Sequence, residues 1–206
     1  MSYIKFILTI TLALAIDSSF AKERWQDAMQ KPINPMLALT LAPPFCQGME
    51  GIPALPAYQN KDWSKEYGGD FVFINHYCQS KPRILYYCYS YSEAEKNECV
   101  ASLLPQIDYA LKSAKSSYKL YPFLSKERAD VFLEIGNYSD AISNYQIAIN
   151  ANNKFIPAYT GLANTYIKQK KYDEAEKIIN IGLTHNPKKK PLLKKLEIIS
   201  KLKVKK

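Results

Sequence analysis

Two consecutive stretches of 34 residues share one pattern: PFLSKERADVFLEIGNYSDAISNYQIAINANNKF (122–155) and IPAYTGLANTYIKQKKYDEAEKIINIGLTHNPKK (156–189). When the chain is compared with itself at this offset, small residues meet small ones and bulky residues meet bulky ones. The aligned pairs are Ala129 and Ala163, Phe132 and Tyr166, Tyr138 and Tyr172, Ala141 and Ala175, Ile147 and Ile181, Ala148 and Gly182, Ile149 and Leu183, and Asn152 and Asn186. Repetition at such a period is typical of a chain that stacks one supersecondary unit on the next.

The period, the fixed small residues and the aromatic residues between them resemble the tetratricopeptide repeat, a pair of antiparallel helices. The resemblance implies an all-α protein of TPR-type helical hairpins, an α-solenoid, with repeats at 122–155 and 156–189. Pro187 cannot continue the helix that precedes it and so marks the end of that helix. The first repeat departs from the pattern twice, at Ser125, where an aromatic residue is usual, and at Asn153, where the closing proline would stand.

Two repeats bury too little apolar surface to be stable alone, so we expect further helices at both ends. Residues 190–206 carry leucines and isoleucines three and four positions apart with lysines between them, which predicts a basic amphipathic capping helix. Residues 92–121 are predicted to form a helical segment that stacks on the first repeat. This segment begins with a capping-box pair, Ser92 and Glu95, and Pro105 predicts a break or kink within it.

Residues 22–91 are predicted to be an irregular, cysteine-containing region, because six prolines and a tryptophan divide its first half into short segments. The apolar run 71–74 fits either a strand or the start of a helix. The four tyrosines at 86, 87, 89 and 91 fit either a core or an exposed stacking surface, and we favour the core.

The N-terminus has the features of a cleavable signal peptide at 1–21. Lys5 precedes an apolar run at 6–16, and small residues at Ser19 and Ala21 precede the expected cleavage point. The sequence therefore predicts a periplasmic or secreted protein with no transmembrane segment after cleavage, and an uncleaved membrane anchor is the alternative.

The positive charge of the chain is concentrated at its C-terminal end. Of the formal net charge of +9, the last 19 residues hold +8, so the rest of the chain is nearly neutral.

Four cysteines, Cys46, Cys78, Cys88 and Cys99, lie in the first half of the chain. An even number in an exported protein indicates disulfides, and four cysteines allow three pairings. We favour Cys46 with Cys78 and Cys88 with Cys99, because the second pair is close in sequence. A metal or haem site with His76 is the alternative, but the spacings of zinc and haem motifs are missing. We predict no metal and no cofactor.

A second resemblance extends over most of the chain, through the segments APPFC (42–46), INHYC (74–78) and IDYALK (107–112). They are similar to the Pro-Pro-Tyr-Cys, His-His-Tyr-Cys and Asp-Tyr-x-Leu segments of an uncharacterised group of exported proteobacterial tetratricopeptide proteins. No catalytic activity comes with this resemblance. Asn75 stands where the group has its first histidine, which removes one potential metal ligand.

The favoured function is a non-enzymatic scaffold of the bacterial cell envelope that binds another protein or peptide through the concave surface of the repeats. By resemblance to peptide-binding repeats, eight residues are candidates for this groove: Lys126, Asp130, Leu133, Glu134, Thr160, Asn164, Ile167 and Lys168. We refer to them as the groove candidates.

Two other functions stay open. The chain could be a structural or surface-associated envelope component held by its lysine-rich C-terminal helix, through contact with an anionic surface. A redox or metal protein centred on Cys78 and His76 is a weaker hypothesis, because residues two apart seldom face each other. No catalytic residue is predicted, and nucleic acid is not an expected partner, because the charge outside the tail is nearly neutral.

Overall fold

The computed structural model describes residues 30–49 and 51–204, apart from the side chain of Ala94. The described chain forms two compact units, one of residues 30–61 and 77–103 and the other of residues 62–76 and 104–204. The predicted signal peptide and residues 22–29 lie outside the described residues.

The described residues contain helices and turns but no strand, which confirms the predicted all-α fold. Three 3-10 helices cover Pro44–Cys46, Pro56–Tyr58 and Gly69–Ile74. The α-helices, in chain order, are α1 Pro35–Leu41, α2 Trp63–Tyr67, α3 Asn75–Cys88, α4 Glu93–Ala101, α5 Leu104–Ser113, α6 Tyr121–Glu134, α7 Tyr138–Ala151, α8 Ile156–Lys168, α9 Tyr172–His185 and α10 Lys190–Val204.

The unit of residues 30–61 and 77–103 contains both disulfides, Cys46–Cys78 and Cys88–Cys99, which is the pairing that we favoured from the sequence. Cys46, Cys78 and Cys88 are fully buried. The predicted capping box at the start of α4 is present, because the Glu95 carboxylate accepts hydrogen bonds from the backbone and the hydroxyl of Ser92. The Cys88–Cys99 disulfide therefore joins the end of α3 to α4, a helix whose first turn is capped.

The N-terminal region is more regular than the sequence indicated. The apolar run 71–74 belongs to a 3-10 helix, and α3 continues for 14 residues although Pro82 lies inside it. The prediction that the four tyrosines belong to the core is wrong for Tyr86 and Tyr89, which are 47% and 56% exposed. Tyr89 lies just after the last residue of α3, and the ammonium of Lys96 lies 4.9 Å from its ring centre.

In the other unit, α6 packs against α7 and α8 packs against α9, so each 34-residue stretch forms a helical hairpin. The first hairpin has a core around fully buried Ala129, Ala141 and Tyr145, and the second has one around Ala163, Ala175 and Ile179. Helix α8 contacts both α7 and α9, which stacks the hairpins. The small residues that the repeat pattern identified therefore lie where helices approach one another.

Further helices cover this pair of hairpins at both ends. Helix α5 packs on α6 and on the 3-10 helix Gly69–Ile74, and Pro105 lies in its first turn, where a proline needs no backbone donor. At the other end, α10 packs on α8 and α9 through Leu192 and Ile199, which are fully buried. These contacts supply the burial that two repeats alone lack.

The turn between the two helices of a hairpin is built alike in both repeats. Gly136 and Lys170, 34 residues apart, have φ of 78° and 59°. The amide after each donates to the carbonyl five residues earlier, from Asn137 to Phe132 at 2.8 Å and from Lys171 to Tyr166 at 2.9 Å. This arrangement is the Schellman motif, in which glycine is the preferred residue for the left-handed position.

Lys170 therefore occupies a position that suits glycine better, as Gly136 shows in the first repeat. Lys170→Gly is expected to raise the free energy of unfolding by about 1 kcal/mol. A Cβ makes the left-handed backbone conformation at this position unfavourable, and glycine has none. Urea unfolding followed by circular dichroism measures the change. Lys177→Gly is the matched control: this exposed lysine lies inside α9 with helical backbone, so glycine there should destabilise the protein. Equal effects of the two substitutions would contradict the argument.

Candidate functional site

The first helices of the repeats, α6 and α8, contact each other, and α8 in turn contacts α10. These three helices form one layer of the unit, and the groove candidates lie on the first two of them. The layer arises because α7 and α9 cover the other side of the same helices. Side chains on the uncovered side of α6, α8 and α10 can thus meet one ligand together.

The part of the site on α6 is a charged cluster. The Lys126 ammonium lies 3.1 Å from a carboxylate oxygen of Glu127 and 2.5 Å from one of Asp130. Tyr145, on α7, donates its hydroxyl to the other carboxylate oxygen of Asp130. The Glu127 side chain is 6% exposed, whereas that of Asp130 is 41% exposed and accessible to a ligand.

The pKa values of this cluster reflect burial and mutual attraction. Burial raises the pKa of Asp130, the nearby Glu127 carboxylate raises it further, and Lys126 and Tyr145 only partly offset the rise. Burial lowers the pKa of Lys126, but Glu127 and Asp130 outweigh it and raise that pKa overall. Burial and the Asp130 charge raise the pKa of Tyr145, so its hydroxyl stays a hydrogen-bond donor.

The part of the site on α8 differs, because α10 takes part in it. The Lys195 ammonium of α10 donates to the side-chain oxygen of Asn164 at 2.7 Å. Thr160 donates its hydroxyl to the Pro157 carbonyl of its own helix at 3.1 Å, and Lys168 is exposed at the last turn. Asn164 thus has its oxygen occupied while its amide group can still donate.

The remaining groove candidates are partly buried. Leu133 packs against the core of the first hairpin, and Ile167 packs against that of the second. Glu134 is half-buried at the end of α6. Leu133 and Ile167 therefore join the groove face to the two hydrophobic cores. The polar groove candidates supply the groups that a ligand can contact.

The position of Tyr145 depends on a glycine in the next helix. A Cβ added to Gly161 would lie 2.3 Å from Cε1 and 2.8 Å from the hydroxyl oxygen of Tyr145. Glycine therefore allows the fully buried ring to reach between α6 and α8 and to present its hydroxyl to Asp130. This close approach couples the stacking of the hairpins to the geometry of the charged cluster.

Sequence reasoning missed Glu127, Tyr145 and Lys195 as parts of this site. The amphipathic pattern of 190–206 puts its lysines on the face opposite the leucines and isoleucines, whereas Lys195 reaches Asn164. The repeat offset contains part of the missing signal for Glu127 and Lys195, because Glu127, Gly161 and Lys195 are 34 residues apart and share one register. Gly161 lies against Tyr145 of α7, and Lys195 reaches Asn164 of α8, so this register lies where a first helix meets its neighbours.

The alternative site at His76 has no catalytic geometry. His76 packs edge-on against Tyr109 with ring centres 4.9 Å apart, and Cys78 is bonded to Cys46. In the described part of the chain, every cysteine is in a disulfide and no group of three or more metal-binding side chains occurs.

None of the helices over 30–49 and 51–204 has both the length and the apolar character needed to cross a membrane.

In a comparison with known families, the family model of the tetratricopeptide repeat matches residues 132–197. The match runs from the second half of α6 into α10 and covers about a third of the chain. No curated protein matches the chain. The matched segment folds as stacked helical hairpins, and repeats of this kind are typical of protein–protein interaction scaffolds.

Gly161→Ala is expected to lower the free energy of unfolding by about 1–3 kcal/mol, since the added methyl group displaces the Tyr145 ring or separates the helices. The loss should appear even though alanine suits a helix better than glycine by about 1 kcal/mol. Urea unfolding measures it. Gly69→Ala is the control, because no atom lies within 4 Å of the added Cβ there. If both variants behave alike, Gly161 is not needed for the close approach.

A raised pKa of Asp130 means that the folded state binds its proton more tightly than the unfolded chain, so this group favours folding less as the pH rises through that pKa. Asp130→Asn should therefore increase stability at pH 7, and the gain should shrink as the pH falls towards 3.8, the ordinary value. Thermal unfolding against pH checks it. Glu174→Gln should do the opposite, because it removes an exposed carboxylate from the first turn of α9. A destabilised Asp130→Asn protein at pH 7 would refute the argument.

Proposed function

We propose that the protein is a non-enzymatic interaction scaffold that binds another protein through the groove candidates. The observation that carries this proposal is the layer of α6, α8 and α10, in which polar side chains of consecutive repeats share one uncovered side. The tetratricopeptide match over the same helices supports it, since stacked hairpins of this type present an extended surface to peptides.

The charges along this surface favour a ligand of mixed charge. On α6, Lys126, Glu127, Asp130 and Glu134 have a net formal charge of −2, whereas Lys168 and Lys195 at the other end contribute +2. A peptide segment with a basic group over α6 and an acidic group over α8 and α10 would complement both ends. Asn164 between them can donate its amide to a peptide carbonyl.

The cluster on α6 suits a basic group of the ligand. Asp130 is accessible, and its position is fixed by Lys126 and Tyr145 before any ligand arrives. A preorganised carboxylate loses little side-chain freedom when it binds an ammonium or guanidinium group. The exposed Lys168 at the opposite end is the corresponding partner for a carboxylate.

We place the function in the cell envelope. The signal-peptide pattern at 1–21 supports export, and two disulfides are compatible with an oxidising compartment. The partner would then be another envelope protein, or an exposed segment of one. Catalysis plays no part in the proposal, because binding through the repeats requires only complementary shape and charge.

The test is capture of partners from the envelope fraction by the full-length oxidised protein and by the variant Asn164→Ala with Lys168→Ala. We expect specific capture by the native chain and a loss of about tenfold or more in the variant, if these side chains lie near the centre of the contact. The control is Gln146→Ala with Asn180→Ala, two exposed positions on α7 and α9. Equal recovery with all three proteins would place the contact outside the groove and overturn the proposal.

A further inference from the structure

Helix α10 has a buried face and an uncovered one. Leu192 and Ile199 are fully buried against the second hairpin. The opposite side carries Lys190, Leu193, Lys194, Glu197, Lys201 and Val204, and we call these residues the outer face of α10. Helices α8 and α9 both pack on the buried side of α10, and the residues of the outer face are exposed, so this face is available to a ligand.

The lysines around α10 divide into two groups. Three of them have partners: Lys203 lies 2.6 Å from both Asp173 and Glu176, Lys201 pairs with Glu197 at 2.5 Å, and Lys195 donates to Asn164. In the described chain, the ammonium groups of a second group have no ion pair and no hydrogen bond. These are Lys188, Lys189, Lys190 and Lys194, four cations within seven residues.

Apolar side chains lie beside these cations. Leu193 is 46% exposed and Val204 is 86% exposed, and both are on the outer face. Long lysine side chains can cover neighbouring apolar surface while their charges reach a polar interface. A face that combines cations with protruding aliphatic groups matches the interfacial region of an anionic bilayer, which offers negative headgroups above an apolar layer.

The repeat register argues against another repeat helix on the outer face. Ala129 and Ala163 are fully buried where the second helix of each hairpin packs on the first. The corresponding residue in α10, 34 positions after Ala163, is Glu197, whose side chain is 63% exposed. A carboxylate at the position that needs a small residue prevents a further helix from approaching closely.

We propose that the outer face of α10, together with Lys188 and Lys189, docks on the surface of a bilayer that contains anionic phospholipid. The helix is 15 residues long and spans about 22 Å, so it can lie flat with its buried face still on the repeats. Lysines contact headgroup phosphates, and Leu193 with Val204 enters the boundary of the acyl region. This contact is independent of the groove and would hold the scaffold at a membrane.

The test is co-sedimentation of the full-length oxidised protein with vesicles of phosphatidylcholine containing roughly 30% phosphatidylglycerol. We expect binding to these vesicles, little binding to pure phosphatidylcholine, and a steep decrease with salt. Lys188→Gln with Lys189→Gln and Lys190→Gln should weaken binding by about 100-fold, from an attraction of about 1 kcal/mol per lysine.

The charge-matched control is Lys112→Gln with Lys154→Gln and Lys171→Gln, exposed lysines elsewhere in the same unit. This variant should bind as the native protein does, and an equal loss would show an effect of net charge alone and overturn the proposal. A thermal unfolding curve for each variant excludes loss of the fold as the cause. Absence of binding to the anionic vesicles would overturn it as well.

The apolar part of the outer face separates a bilayer from a soluble polyanion. Leu193→Ser with Val204→Ser should reduce vesicle binding by about tenfold and leave binding to heparin, a soluble polyanion, unchanged. If vesicle binding does not respond to this change, attraction is by charge alone and the bilayer proposal is wrong. A groove variant that keeps the contact between Asn164 and Lys195, Thr160→Ala with Lys168→Ala, should bind vesicles normally, which keeps this result separate from that of the groove.

Discussion

The close approach of neighbouring helices is the constraint on which the repeat unit depends. Ala129 against Ala141 and Ala163 against Ala175 bring the helices of each hairpin together, and Gly161 admits the Tyr145 ring between the hairpins. A larger side chain at any of these positions would separate two helices along much of their length. The groove inherits this constraint, because Tyr145 holds Asp130 in place.

One register of the repeat explains both the stacking and the chemistry of the first-helix layer. Residues 127, 161 and 195 occupy equivalent places, where the helix meets its neighbours. Glycine at 161 allows tight stacking, whereas the charged residues at 127 and 195 reach Lys126 and Asn164. The repeat therefore reuses one geometric position for packing in one helix and for polar contacts in the others.

The sequence predicted the helical hairpins, because an offset of 34 aligns the buried small residues Ala129 with Ala163 and Ala141 with Ala175, and the bulky Phe132 with Tyr166. It also indicated the disulfide pairing and the two covering helices. It failed for Tyr86 and Tyr89, whose exposure is set by tertiary packing. It also failed to predict α3, because the prolines between residues 32 and 56 led us to expect only short segments in this region. Local patterns cannot show which helix face a neighbour covers, so the contact between Lys195 and Asn164 required the structure.

Helix α10 is fixed from several directions before it meets any ligand. Leu192 and Ile199 hold it in the core, Lys195 joins it to α8, and Lys203 joins its last turn to the acidic residues of α9. An amphipathic helix that folds only on a membrane must lose conformational entropy when it binds. A helix already ordered by the repeats avoids this cost, so even a few lysines and two aliphatic side chains can give measurable binding.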